Sequence, residues 1–423
     1  MFLVALALRV GYAWLATGPA AQPYSDAADY DAIAWNLAGG HGFSLSGAGG
    51  PYPTAYRPPV VPWITSLLYR AIGHRFFAAV LLQCVFGAMV PLVIARIGGA
   101  MVGGGVGRLA GWIAAVDPLL VFFSGYLMTE TTFTVTLLLA LLASVEWVKT
   151  PRGGRALGVG VLWGVAALTR PTALPLPALI AAWAWVPLGL TVAGRERLRQ
   201  VALIALGTAL VVGPWTLRNA LALHAFVPVT TGGGRAFLDS NNPVLWNDPA
   251  RRGGGISTYH IEPYAGEFKG KSEVEADAIA ARRGWEFLNA HRSEWPAMAA
   301  AKLGRFWRLH AERAGTGSWR TARSLLDRLV ALADPLLVWS LITFPLGLWG
   351  AARLAHGPRR WFLSLPVLVI LFFTALAIVY WGSLRTRMPI QPLIALLAAI
   401  GLDDLRRRLR ARTSGLKLVA REP

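Results

Sequence analysis

Runs of apolar residues close to 18 long recur from one end of this chain to the other, and they restrict its fold more than any other feature. In a bilayer each such run can satisfy its backbone hydrogen bonds within a helix and present only hydrocarbon to lipid. Composition agrees. Of 423 residues, 55% are hydrophobic and 15% charged, where soluble domains carry roughly 25% charged. The expected fold is an all-α polytopic membrane protein with about 10 (10–12) transmembrane helices. They fall near residues 2–16, 76–97, 109–123, 131–148, 156–168, 173–190, 201–217, 335–352, 362–380 and 389–402. The first run lacks a basic leader and is taken as a retained span, although Arg9 interrupts it. That arginine either snorkels to a membrane edge or is buried for a purpose.

The formal charge of +19 would suggest nucleic acid in a soluble protein. Here the cations sit in short clusters between apolar runs: Lys149, Arg152 and Arg155; Arg195, Arg197 and Arg199; Arg353, Arg359 and Arg360; and a tail from Arg406. Such clusters set topology, and the positive-inside rule puts them in the cytoplasm. Alternation then sends the first long polar loop, the turn with Glu130, Arg170, a polar stretch at 218–330 and the pair Arg385 and Arg387 to the outer side. Cys84 is the single cysteine, so no intrachain disulfide can form. HExxH, GxxxxGK and a serine nucleophile elbow are absent. His41, His260, His291 and His310 lack metal-ligand spacing. The sequence requires no cofactor; it leaves room for a divalent metal without demanding one.

Polar residues unexplained by topology all fall on the outer side. The first loop holds Asp26 and Asp29, then a helical pattern of Tyr30, Ile33, Ala34 and Leu37, which suggests a short interfacial helix with Asp26 as its N-cap. It ends with Arg57 fixed before Pro58 and Pro59; Trp63 and Tyr69 suit a membrane interface. Carboxylates Asp26, Asp29 and Glu130 beside Arg57, Arg170, Arg385 and Arg387 suit a substrate with an anionic phosphate and a hydroxyl awaiting deprotonation. Each also has a plainer explanation. Asp26 and Glu130 could merely cap helices, and the arginines could be interfacial anchors. Gly103 and Gly107 suit a turn or helix packing. Within 218–330, Val274, Ala278, Ala281, Trp285 and Leu288 share one helical face, and a second helix is expected near 295–309.

Seven segments, in this order, resemble a known group: SDAADYDAIAWNLAGGHGFS, YRPPVVPWITSLLY, SGYLMTETTF, ALTRPTAL, PWTLRNALALHAFVPVT, LDSNNP and SLRTRMPIQP. They are similar to segments of the GT-C fold integral-membrane glycosyltransferases, the branch of dolichyl-phosphate-mannose protein mannosyltransferases and aminoarabinose transferases. The chain looks most like a short bacterial branch of it. The resemblance implies a GT-C type membrane protein whose periplasmic loops carry short interfacial helices. It implies transfer of a glycosyl group from a polyprenyl-phosphate sugar to a lipid, glycan or protein acceptor, on the periplasmic face of the bacterial inner membrane, with inversion. By the same resemblance Asp26, four before Tyr30, is the general base, with Asp29 the alternative and Glu130 a second carboxylate. Arg57, Arg170, Arg385 and especially Arg387 would bind the donor phosphate. Tyr30, Tyr56, Asn219, Asn241 and Asn242 would support them.

The expected organisation is a membrane module at 1–217 with its catalytic outer loop at 17–75, a periplasmic subdomain at 218–330, C-terminal membrane helices at 331–405 and a basic cytoplasmic tail at 406–423. A transporter or flippase of a lipid-linked sugar is the rival. It would share the spans and arginines but would show inverted repeats, which the sequence lacks, and would not need the long polar stretch.

Overall fold

The computed structural model describes residues 1–189, 191–308, 334–355 and 360–419. Parts of the expected subdomain (309–330) and tail (420–423), with His310 and Arg359, lie outside the described residues. α1 (Phe2–Ala16) leads into α2 (Asp26–Ala38), a hairpin of β1 (Ser44–Gly47) and β2 (Gly50–Pro53), and α3 (Val60–Ile72). The hairpin is antiparallel, with Ser44 opposite Pro53 and Gly47 opposite Gly50. Then come α4 (Phe76–Met101), α5 (Gly104–Val116), α6 (Pro118–Ser124), α7 (Thr129–Lys149), α8 (Gly153–Thr169), α9 (Leu176–Gly189) and α10 (Gly194–Leu223). The polar stretch forms α11 (Gly233–Ser240), α12 (Pro243–Trp246), α13 (Tyr264–Phe268), α14 (Glu273–Ala290) and α15 (Trp295–Trp307). The chain closes with α16 (Pro335–Ala355), α17 (Arg360–Val379), α18 (Leu384–Arg387) and α19 (Gln391–Val419).

The expectation of about 10 spans does not hold. Among the described residues five helices are long and apolar enough to cross a bilayer: Phe76–Met101, Thr129–Lys149, Gly194–Leu223, Pro335–Ala355 and Leu384–Ala411. A sixth is counted if α5 and α6, bent by 55°, act together. The remaining expected spans fall on shorter apolar helices, Phe2–Ala16, Gly153–Thr169, Pro171–Val186 and Ser364–Val379. At 1.5 Å per residue, a helix of about 15 residues covers roughly 22 Å of a hydrocarbon core near 30 Å. Hydropathy measures how apolar a run is and is silent on where its helix stops. The protein is thus a multi-pass membrane protein with five or six apolar spans among the described residues.

Glycines let these helices cross closely. A Cβ on Gly107 would lie 2.3 Å from the Ala95 carbonyl oxygen, so α4 and α5 touch backbone to backbone, while the φ of +151° at Gly103 makes the turn between them. The same contact joins α8 to α10 at Gly160 and Gly207, and α16 to α19 at Gly350 and Gly401. Arg9 is fully buried. Its Nη1 donates to the carbonyls of Ala5 and Ala115, each at 3.0 Å, and Nη2 to Ala114 at 3.4 Å. It satisfies the last carbonyls of α5, which have no partner inside that helix. At the bend, Asp117 caps α6 by accepting from the amides of Leu119 and Leu120.

Three local expectations need correction. Ser25, with φ of 52°, is the N-cap of α2, and Asp26 is its first helical residue. Its carboxylate points to side chains instead. In α14 the buried face is Ala276, Ala280, Gly284 and Phe287; Trp285 is exposed. The reason is α11: a Cβ on Gly284 would meet the Phe237 ring, and one on Gly234 would collide with the Asp277 carbonyl. Small residues, not the larger apolar ones, mark the contact. Tyr69 is buried rather than interfacial, donating to Asp31 at 2.5 Å.

Candidate active site

The first loop is held from two directions. Arg218, near the end of α10, donates to the carbonyls of Thr54 and Phe43, both at 2.6 Å. Glu273, the first residue of α14, accepts from Thr54 Oγ1 at 2.6 Å and from the amide of Ala55 at 2.7 Å. The Thr231 amide donates to the Ala55 carbonyl at 3.1 Å. These bonds fix the backbone two or three residues before Arg57, and Pro58 and Pro59 stiffen it just after.

Arg57 then belongs to a chain of alternating charges. Asp29 accepts from Arg57 Nε at 3.1 Å and Nη2 at 2.7 Å. The same Nη2 lies 2.6 Å from Asp26 Oδ1. The other oxygen of Asp26 accepts from Arg385 Nη1 at 2.5 Å. Arg385 Nε donates onward to Glu130 Oε1, and Arg170 Nη1 donates to that oxygen at 3.1 Å. The order in space is Asp29, Arg57, Asp26, Arg385, Glu130, Arg170. Residues from α2, the first loop, α18, α7 and the end of α8 meet there. Glu130 is fully buried, while Asp29, at one end of the chain, has a side chain 31% exposed.

Three carboxylates face three guanidinium groups, so the cluster sums to zero. Among the described residues nothing donates to Glu130 Oε2. Burial would raise the Asp26 carboxyl, but the charges of Arg385 and Arg57 outweigh it and hold it at about 2. Arg57 lies over the rings of Tyr30 and Tyr56, at 5.3 and 4.5 Å from their centroids, and burial pushes the Tyr30 phenol up. No group of three His, Cys, Asp or Glu with metal-binding geometry occurs among the described residues.

Four residues singled out in the sequence lie elsewhere. Arg387 is two residues after Arg385 in α18, so the two point to different sides of the helix. Its guanidinium is fully buried, donates to the Phe306 carbonyl and Ser340 Oγ, and lies over the Phe344 ring at 5.1 Å. Asn219 donates to the carbonyls of Val227 and Val229, and Asn242 caps α12 through the Leu245 amide. Asn241 accepts from Lys302 Nζ at 2.7 Å. Arg218 and Glu273 escaped notice in the sequence. The capping box of Ser272 and Glu275 marks where α14 begins, yet nothing local says that its first residue reaches Thr54.

The family model for dolichyl-phosphate-mannose-protein mannosyltransferase matches residues 56–216, less than half of the chain. No match is found among curated proteins. The archaeal oligosaccharyltransferase AglB from Archaeoglobus fulgidus, solved with an inhibitory peptide and a dolichol-phosphate, superimposes with a TM-score of 0.60 at 13% identity. That alignment covers 100% of this chain and 51% of the other. An apo form of the Archaeoglobus fulgidus oligosaccharyltransferase gives 0.56 at 14% identity, over 100% and 52%. A looser likeness, 0.45 at 14% identity over 100% and 80%, is to ArnT from Cupriavidus metallidurans bound to undecaprenyl phosphate. The chain spans about half the length of the oligosaccharyltransferases it matches. It has the GT-C fold of membrane glycosyltransferases.

Proposed function

We propose that this chain transfers a glycosyl group from a polyprenyl-phosphate-linked sugar to a cell-envelope acceptor on the outer, periplasmic face of the inner membrane. The observation that carries the proposal is the alternating chain from Asp29 to Arg170. Partly or fully buried carboxylates beside partly buried guanidinium groups are the parts that a hydroxyl nucleophile and a phosphate leaving group require. A dolichol-phosphate held by a protein of the same fold is consistent with that donor class. In this scheme residues 1–217 and 331–405 form the membrane module, 218–330 covers the site, and 406–423 is the cytoplasmic tail.

The pairing in the cluster suggests how the parts work. Both oxygens of Asp26 are engaged by arginine, and a carboxyl held near 2 is a poor proton acceptor. A donor phosphate competes for Arg57 and Arg385, since guanidinium groups bind phosphate as they bind carboxylate. As they turn to it, Asp26 loses the charges that depress it, while its burial, which raises it, remains. The acceptor oxygen then attacks the anomeric carbon in line, with inversion. Its proton passes to Asp26, and the bond from that carbon to the phosphate oxygen breaks. The electron pair leaves on polyprenyl phosphate, whose charge is met by Arg57, Arg385 and Arg170. Asp29 holds Arg57, and the free oxygen of Glu130 orients the acceptor hydroxyl. Arg387 supports α18 from below.

The test uses membranes containing the protein, a panel of polyprenyl-phosphate sugars and cell-envelope acceptors. Release of free polyprenyl phosphate is measured for wild type and Asp26→Asn at matched protein levels. Release that disappears in the variant supports the assignment. Release retained in the variant moves the base to Asp29 or Glu130. No release with any donor, combined with lipid-linked sugar crossing the membrane, would replace transfer by transport.

A further inference from the structure

The cations of the site are held in different ways, and one is held by nothing polar. Arg57, Arg170 and Arg385 are each neutralised by a carboxylate. Arg218 spends its guanidinium on two backbone carbonyls. Arg235, in the first turns of α11, is different. Its guanidinium carbon lies 4.9 Å from the Tyr56 ring centroid and 4.4 Å from that of Tyr259. Among the described residues no hydrogen bond or ion pair reaches its side-chain nitrogens, and Nε is buried without a partner. The acidic neighbours that feel its charge, Asp239 and Asp277, make no ion pair with it. Asp277 accepts from the backbone amide of Arg235 itself, and Asp239 accepts from Thr258.

Position makes this orphan significant. Tyr56 carries Arg57 over its ring at 4.5 Å and Arg235 at 4.9 Å, so the two guanidinium groups are separated by no more than the sum of those distances. Tyr259 in turn stacks on Phe268 at 20° between ring planes. Arginine, tyrosine, arginine, tyrosine and phenylalanine thus form a continuous stack from the ion-pair chain out to the polar stretch. A guanidinium between two rings keeps its plane fixed and its N–H edge available. A planar cation in that state is organised for bidentate binding of phosphate oxygens. The neutral cluster beside it offers an incoming phosphate no net attraction; Arg235 does.

We infer that Arg235 is a phosphate-binding residue of this site, prepared by Tyr56 and Tyr259 and, among the described residues, ion-paired to no carboxylate. Where that phosphate belongs to the donor, the inference rests on the function proposed above. A phosphate on the acceptor side would use the same edge.

The test measures binding to the full-length protein in lipid nanodiscs, by native mass spectrometry and thermal shift. Four probes are compared: a polyprenyl phosphate, the matching polyprenol without phosphate, a soluble monosaccharide phosphate and the free monosaccharide. Variants are Arg235→Gln, Arg235→Lys and Tyr259→Ala. Wild type is expected to bind a phosphate-bearing probe about tenfold better than its phosphate-free counterpart. Arg235→Gln should lose that preference, and Arg235→Lys should restore only part of it, because an ammonium is not held in a plane. Loss confined to polyprenyl phosphate assigns the residue to the donor; loss confined to the monosaccharide phosphate assigns it to the acceptor side. If Arg235→Gln, correctly folded, binds both phosphates as wild type does, or if wild type prefers neither, the inference is overturned. Because binding is read without turnover, failure of the transfer assay leaves this result standing.

Discussion

Arg9 is fully buried and the Arg385 side chain is 29% exposed, and they differ also in what satisfies them. Arg9 donates to three backbone carbonyls, two of them the end of α5. Arg385 donates to two carboxylates. A carbonyl-held arginine cannot leave without stranding a helix terminus, so it is part of the frame. A carboxylate-held arginine can trade one anion for another with little change in geometry, so it is available for chemistry. Lys302 and Arg387 fall with Arg9, since Lys302 donates to Asn241 and to the last carbonyls of α17. Arg57 and Arg170 fall with Arg385. Partner type separates the two groups, and burial runs with it: Arg9, Arg387 and Lys302 are buried, while Arg57, Arg170 and Arg385 keep 15%, 15% and 29% of their side chains exposed.

The largest expected effects test that division directly. Arg385→Gln and Asp26→Asn should each lower transfer by about 10²- to 10⁴-fold, while thermal unfolding in detergent shifts by only a few degrees. Arg9→Ala should do the reverse. It should lose about 3–5 kcal/mol of stability, by chemical denaturation, for stranded carbonyls and an emptied site, with turnover per folded molecule unchanged. Abolished transfer at unchanged stability in Arg9→Ala would break the comparison.

Lys302 sharpens it through pH. Burial lowers its amine from 10.5 to about 8, so between those values the unfolded chain binds more protons than the folded one. Stability should therefore rise with pH across that window, by at most about 3 kcal/mol, and stay flat in Lys302→Met. Asp26 gives the smaller effect with the opposite limb. Its carboxyl is depressed from 3.8 to about 2, so its contribution is present above the unfolded value and is lost as pH falls through about 2. The loss should be about 2 kcal/mol, measured as the acid slope missing from Asp26→Asn.

Much of the site was legible because polar residues are rare in such a sequence. Asp26, Asp29, Arg57, Glu130, Arg170 and Arg385 stood out against an apolar background, and proximity needed only one shared side of the fold. Arg387 stood out equally and lies elsewhere, because two residues on a helix turn it away. Arg235 was not noticed: its partners are rings from positions 56 and 259, and nothing near it in sequence reports them. The span count failed because several apolar runs form helices of only 10–17 residues, and because of kinks such as the 55° break after α5. The buried face of α14 was misplaced for a related reason: large apolar residues draw attention, but Gly284 is where Phe237 fits.

The ion-pair chain also has a history during synthesis. Glu130 and Arg385 are 255 residues apart, and Asp26 and Arg385 are 359 apart. The acids are therefore made, and α7 delivered to the bilayer, long before the arginine that neutralises both. Until α18 emerges, Glu130 has Arg170 alone, and Asp26 has Arg57 alone. Three acids then share two arginines, and Arg385 supplies the missing positive charge. A chain stopped before residue 385 leaves this cluster one positive charge short, with Asp26 and Glu130 no longer bridged.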